Sequence, residues 1–363
     1  MKKFLCWLLT ASLLLALCAC APDAPPEEGS APPAAEPERP PEDTGREDTP
    51  PEAASDYETV DWLVFSLTPE DYGIEYRELP EWSSFTLAEL GTYCLYGDGA
   101  FAEGSLPRLY RCFMDAPDTV LHYLALIGRQ TVCAGQPWER DAVETLCRGI
   151  ACTDIFADDY YPRDMQRFDR IMAQYREIYP DGRIAEILSL LQAEHDASAE
   201  RNGSPGYDLS NQSPQPVIPD KPVDWQVISL APDDYGIVYD TDHMDVKPFP
   251  LAKLCVYYLY SDGAYAEGAH DELYRRFMEA PHTVLNFLAL LGDQMARGGQ
   301  TGELTAAAEL CRAIAFADVF WHDSPPEFAA ILEQYRELYP DGRIAELLDT
   351  LRAEHDNAAA MFH

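Results

Sequence analysis

The chain has 363 residues, of which 63 are Asp or Glu and 26 are Lys or Arg, for a formal charge of −37 at pH 7. Such a field repels nucleic-acid phosphates and anionic lipid head groups, so both are disfavoured as direct partners of the folded surface. Cationic ligands, basic proteins and divalent ions are compatible with it, although a well-solvated acidic surface needs no partner at all.

At the N-terminus, Lys2 and Lys3 precede an apolar run from Phe4 to Leu17, too short for a comfortable membrane span. Leu17-Cys18-Ala19-Cys20 follows. This stretch resembles the lipobox of bacterial lipoproteins, in which a small residue stands before the modified cysteine. The resemblance implies that residues 1–19 are a signal peptide, that the Cys20 thiol receives a diacylglyceryl group, and that Cys20 becomes the mature N-terminus. Leu17 is too large for Cys18 to take that role. The resemblance covers only this leader. Two or more acyl chains anchor stably where one is marginal, so the expectation is an extracytoplasmic protein tied to the outer face of the bacterial membrane.

Residues 20–56 follow as a tether. From Ala21 to Ser55 the chain is almost entirely Pro, Glu, Asp, Ala, Gly, Ser and Thr. Without large apolar side chains it cannot offset its ordering entropy, which predicts disorder. At ~3 Å per residue a Pro-rich, like-charged segment of this length reaches on the order of 100 Å.

Beyond the tether the sequence repeats itself. Val60-Asp61-Trp62 returns as Val223-Asp224-Trp225, Asp71-Tyr72-Gly73-Ile74 as Asp234-Tyr235-Gly236-Ile237, and the block from Tyr179 to Glu186 as Tyr339 to Glu346. A displacement of this size suits two homologous domains, at residues 57–196 and 223–363, joined by a polar linker at 197–222. Each opens with an extended strap, Trp62 to Leu67 or Trp225 to Leu230, stopped by Pro69 or Pro232.

Helical stripes fill the rest. Thr86-Leu87-Ala88-Glu89 has capping-box spacing before the first helix, and Asp98-Gly99 opens a second through Met114. A third, Val120 to Ile127, is apolar nearly all round and so predicts the helix that others pack against. A fourth runs around Ala142 to Phe156, and a fifth carries Phe168, Ile171, Met172, Tyr175 and Ile178. Pro180-Asp181-Gly182 breaks the chain before a sixth. The predicted class is all-α, two tandem helical domains each preceded by a strap, with a compact bundle and a short solenoid-like stack of hairpins both open.

Several polar groups recur in both copies. Asp71, Tyr72, Asp234 and Tyr235 form acidic-aromatic turns that could face a ligand or clamp the strap. Asp98 and Glu103, with Asp262 and Glu267, lie in a Gly-rich stretch that could approach a ligand or cap a helix. These eight are the candidate ligand-facing residues. Glu194-His195-Asp196, matched by Glu354 to Asp356, reads as a solvated helix end, because adjacent helical side chains point about 100° apart. Asp154, Asp158 and Asp159 are matched by Asp318, His322 and Asp323, where the Asp-to-His spacing of four puts two ligand types on one helical face, but the first copy has Asp in place of His and no metal is predicted. Cysteines differ between the copies and read as buried apolar residues. No catalytic residue, cofactor site or metal site is predicted. The leading expectation is a lipid-anchored surface protein with helical interaction domains. Its partners would be the membrane through Cys20 and an envelope polymer, a peptide or a protein. The alternative is a carbohydrate hydrolase using Glu103 and Glu267, each with a second carboxylate about 5–10 Å away.

Overall fold

A computed structural model describes residues 60–76, 84–132, 140–156, 167–202, 226–239, 245–261, 263–296, 304–321 and 326–362. The protein is all-α. The first half holds α1 (Leu87–Tyr96), α2 (Gly99–Asp115), α3 (Pro117–Ile127), α4 (Ala142–Phe156), α5 (Arg167–Ile178) and α6 (Gly182–Asn202). The second holds α7 (Leu251–Tyr260), α8 (Gly263–Glu279), α9 (Pro281–Leu290), α10 (Ala306–Trp321), α11 (Pro326–Leu338) and α12 (Gly342–Phe362). Between α3 and α4 runs a minimal antiparallel ladder that the sequence pattern did not show, β1 (Thr131–Val132) with β2 (Arg140–Asp141). A Met295–Thr305 bridge takes its place between α9 and α10.

The punctuation read from the sequence sets the helix ends. The Thr86 hydroxyl accepts from Glu89 N–H, and the Glu89 carboxylate accepts from Thr86 N–H at 2.8 Å, closing the capping box of α1. Pro117 and Pro281 occupy the first turns of α3 and α9, where a missing N–H does no harm. In the Pro-Asp-Gly turns, Gly182 and Gly342 have φ of 77° and 80°, a left-handed backbone that other residues adopt at a penalty. Buried surface then joins the pieces. On α3, Val120, Leu121 and every residue from Tyr123 to Ile127 are buried, and α4 packs against α6 as α10 does against α12.

Gly91 on α1 is needed for a close approach, because a Cβ there would collide with the Tyr123 hydroxyl. The matching positions of the second half hold Cys255 and Phe287. A side chain on the first helix thus accompanies a ring without a hydroxyl.

The straps change how the halves relate. The Leu63 and Val64 carbonyls accept from Leu251 and Ala252 N–H of α7, at 2.7 and 3.0 Å. Reciprocally, the Gln226 and Val227 carbonyls accept from Leu87 and Ala88 N–H of α1, at 2.9 and 3.0 Å. The first N–H groups of a helix have no partner within it, so each strap completes the first helix of the opposite half. Phe65, 0% exposed, places its ring 5.1 Å from Tyr123 of its own half and 5.9 Å from Phe287 of the other. Trp62 donates its indole N–H to Glu279 at 3.2 Å and lies 5.0 Å from the buried Arg276 guanidinium, a cation–π contact. With α3 packed on α9, residues 54–363 form one compact unit. The division at 57–196 and 223–363 follows the repeat in the sequence, whereas packing carries the core across it.

Candidate functional site

The tyrosines of the two candidate turns fold back onto their straps. Tyr72 donates to the Ser66 carbonyl at 2.7 Å, and Tyr235 donates to the Ser229 carbonyl at 3.0 Å, each closing a loop on its own strap. Asp71 accepts from the Ser66 hydroxyl. The two tyrosine rings meet 6.3 Å apart across the halves. Burial, then the charge of neighbouring groups, pushes both phenols well above their usual pKa, so both are neutral donors. Their geometry is that of a clamp. Asp234 is exposed, as are Asp98 at the start of α2, Glu103 on α2 and Glu267 on α8. Asp262 and Cys20 lie outside the described residues, as do Asp158, Asp159, His322 and Asp323. The structure therefore brings Tyr72 to Tyr235 and leaves the described acids of α2 and α8 on helix surfaces.

A convergent set that the sequence reading missed lies between α2, α4 and α6. Tyr110 donates to Asp154 Oδ1 at 2.6 Å, His195 Nε2 lies 3.0 Å from Asp154 Oδ2, and the imidazole stacks on Phe168 at 4.8 Å. In the second half, Tyr274 donates to Asp318 Oδ1 at 2.8 Å, His355 Nε2 lies 3.0 Å from Asp318 Oδ2, and the imidazole stacks on Phe328 at 5.2 Å. His195 is thus buried and bonded, which corrects its reading as a solvated helix end. Its neighbours do diverge. Glu194 pairs with Arg148 at 3.0 Å, while Asp196 accepts from Gln192 at 2.8 Å. Burial alone would depress the His195 pKa, but the bond to Asp154 and the charges of Asp154, Asp169 and Asp196 outweigh it and hold the pKa above the usual value. Each buried carboxylate has one oxygen facing a phenol and the other an imidazole, so the network satisfies itself. The available signal was that three polar residues, 44 and 41 positions apart in the first half, return at matching positions in the second.

A second polar cluster forms where α3 and α9 meet. Tyr179 donates to Asp118 at 2.7 Å and lies 3.1 Å from His122 Nε2. Because the phenol proton is committed to the carboxylate, the hydrogen between Tyr179 and His122 belongs to the imidazole, an assignment made from the network. Burial pulls the His122 pKa down, against the opposing effects of Asp118 and of Asn286 from the other half. In the second half the positions of Asp118 and His122 hold His282 and Asn286, and Tyr339 lies 2.9 Å from His282 Nδ1. Arg183 and Arg343 then donate to the carbonyls of Gly128 and Gly292, at 2.9 and 2.7 Å, closing the ends of α3 and α9. These bonds account for Tyr179 and Arg183 of the repeated block and for their counterparts Tyr339 and Arg343.

The remaining chemistry is subdued. The six described cysteines are free, and burial pushes the thiols of Cys94, Cys112 and Cys311 up to about 12, far from the range of a reactive thiolate. An open depression of about 630 Å³ is lined by Asp181 to Leu190 at the start of α6, a single helical segment. Among the described residues no group of three or more His, Cys, Asp or Glu could hold a metal ion, and no helix is long and apolar enough to cross a membrane. No family model, curated protein or solved structure matches the chain.

Proposed function

We propose that this chain is a lipid-anchored extracytoplasmic protein that displays its helical unit, on an extended tether, as an interaction module. The observation that carries the reading is the order of segments: a leader of residues 1–19 followed by Cys20, the Pro- and acid-rich stretch to Ser55, and then a folded unit. The geometry adds a rigid presentation. Reciprocal straps fix the two halves against one another, so any two equivalent surfaces keep a set spacing, unlike modules on a flexible linker. The described polar residues shared by the halves lie largely in clamps, caps and buried networks, which favours a binding surface over a reactive centre.

Metabolic labelling with a radiolabelled fatty acid tests the anchor. Wild type takes up label and fractionates with membranes, and Cys20→Ser does neither. Label retained by Cys20→Ser contradicts the assignment. The carbohydrate-hydrolase reading gains no observation, since Glu103 and Glu267 stand on exposed faces of α2 and α8.

A further inference from the structure

One strip of side chains distinguishes the second half from the first. In the second half, the ring of Tyr258 on α7 stacks on His270 of α8 at 4.8 Å, His270 on Phe316 of α10 at 5.9 Å, and Phe316 on Phe320 at 5.4 Å. Interplanar angles of 26°, 29° and 16° keep the rings nearly parallel. His270 Nε2 lies 3.1 Å from the Tyr258 hydroxyl, fixing the middle of the stack. The strip rises from half-buried rings to Phe320, which is 47% exposed. The matching positions of the first half are Cys94, Leu106, Cys152 and Phe156. That half reaches the same helix arrangement without three of the rings, so the fold itself does not call for them.

Charge selects among ligands for such a strip. The chain carries 63 acidic against 26 basic residues, and Glu267 and Asp271, both exposed, flank His270 on α8. Burial holds the His270 pKa below its usual value, so the strip adds no positive charge of its own at neutral pH. The exposed ring of Phe320, at the open end of the stack, can attract guanidinium and ammonium groups, the rings behind it add apolar contact for the rest of the ligand, and the surrounding acidic field steers cations in. We propose that the Tyr258–His270–Phe316–Phe320 strip is the docking surface for a basic, aromatic- or aliphatic-containing peptide segment of a partner protein. This rests on the interaction-module reading and names the face and partner chemistry for it.

The test uses full-length chain in detergent and a fluorescein-labelled peptide of alternating Arg and Phe, read by fluorescence anisotropy. Wild type is expected to bind saturably, more weakly as salt rises. The variant Tyr258→Cys/His270→Leu/Phe316→Cys, which installs the residues the first half already carries, is expected to bind at least ~10-fold more weakly. Phe320→Ala should show a similar loss, and Phe156→Ala in the first half should change affinity less than about 2-fold. Far-UV circular dichroism checks that each variant keeps its helices, and the single Phe320→Ala change serves if the triple variant does not fold. Equal binding by wild type and Phe320→Ala overturns the strip as the site. So does the absence of peptide binding by wild type, or wild-type binding of neutral wall-glycan fragments in place of the peptide. The fatty-acid labelling of Cys20 is independent of this titration, so failure of the anchor and failure of the strip are seen separately.

Discussion

Phe65→Ala probes the link between the halves at its centre. The ring is 0% exposed and sits between Tyr123 and Phe287, so truncation removes apolar burial from both halves at once. Transferring a buried Phe side chain to water is worth about 1.5–3 kcal/mol, and the cavity left behind brings the usual loss to about 3–5 kcal/mol. Loss of two ring–ring contacts places this site in the upper part of that range. Against a total stability of about 5–15 kcal/mol the effect is large. With a urea m-value of about 3 kcal/mol/M it moves the midpoint down by about 1.3–1.7 M. The assay is urea unfolding followed by far-UV circular dichroism and by tryptophan fluorescence. The expected result is a single transition, displaced equally for both probes. A loss below about 1 kcal/mol, or a displacement confined to one of two separable transitions, refutes the reasoning.

Tyr123→Phe should be neutral or slightly stabilising, since the buried Tyr123 hydroxyl has no hydrogen-bond partner among the described residues. Gly91→Ala should lose about 1–3 kcal/mol in wild type and under about 1 kcal/mol in the Tyr123→Phe background, a coupling that a urea double-mutant cycle measures. Asp318→Ala leaves the Tyr274 phenol and His355 imidazole without their acceptor, for a loss of about 2–5 kcal/mol by thermal or urea unfolding. Two histidines give stability opposite pH dependences. Burial holds the folded pKa of His122 below that of an ordinary imidazole, so the unfolded chain takes up the proton first and stability falls as pH drops through the ordinary histidine range. His195 has a folded pKa above 6.5, so its contribution is complete below that value and is lost as pH rises through the folded pKa. Urea midpoints of His122→Asn, measured from about pH 5 to 8, should show a smaller acid-side loss than wild type.

Helix positions were legible because their signals are local. Thr86 with Glu89, Pro117 and the Pro180-Asp181-Gly182 break each act within one turn of the chain, and the structure ends its helices there. The nearly all-round apolar pattern of α3 likewise identified a helix buried over most of its surface. The strap exchange was not legible. A largely buried apolar strap has the same sequence pattern whether the helix it caps is Leu87 of its own half or Leu251 of the other. The carbonyls of Leu63 and Val64 that decide the matter are backbone groups with no side-chain signature. Asp318 was noticed for its spacing to His322, four residues on, and Asp154 as its counterpart, although the partners of Asp154 are Tyr110 and His195 on two other helices. Consecutive positions along one helix can be excluded from converging by geometry, as for Glu194, His195 and Asp196, but convergence between helices depends on packing. Tyr72 and Tyr235 drew attention because their turn is repeated along the chain, while their facing across the halves depends on how the straps cross.

The central claim is that reciprocal straps and the α3–α9 contact bind the two halves into one body. It is tested most directly by inserting a protease site into the segment between Asn202 and Gln226 and cutting the full-length protein there without denaturant. The account predicts that the two fragments stay together on size exclusion and still unfold in one transition, because the bonds of Leu63, Val64, Gln226 and Val227 do not depend on that segment. Fragments that separate under native conditions, or that unfold independently with unchanged midpoints, would contradict it.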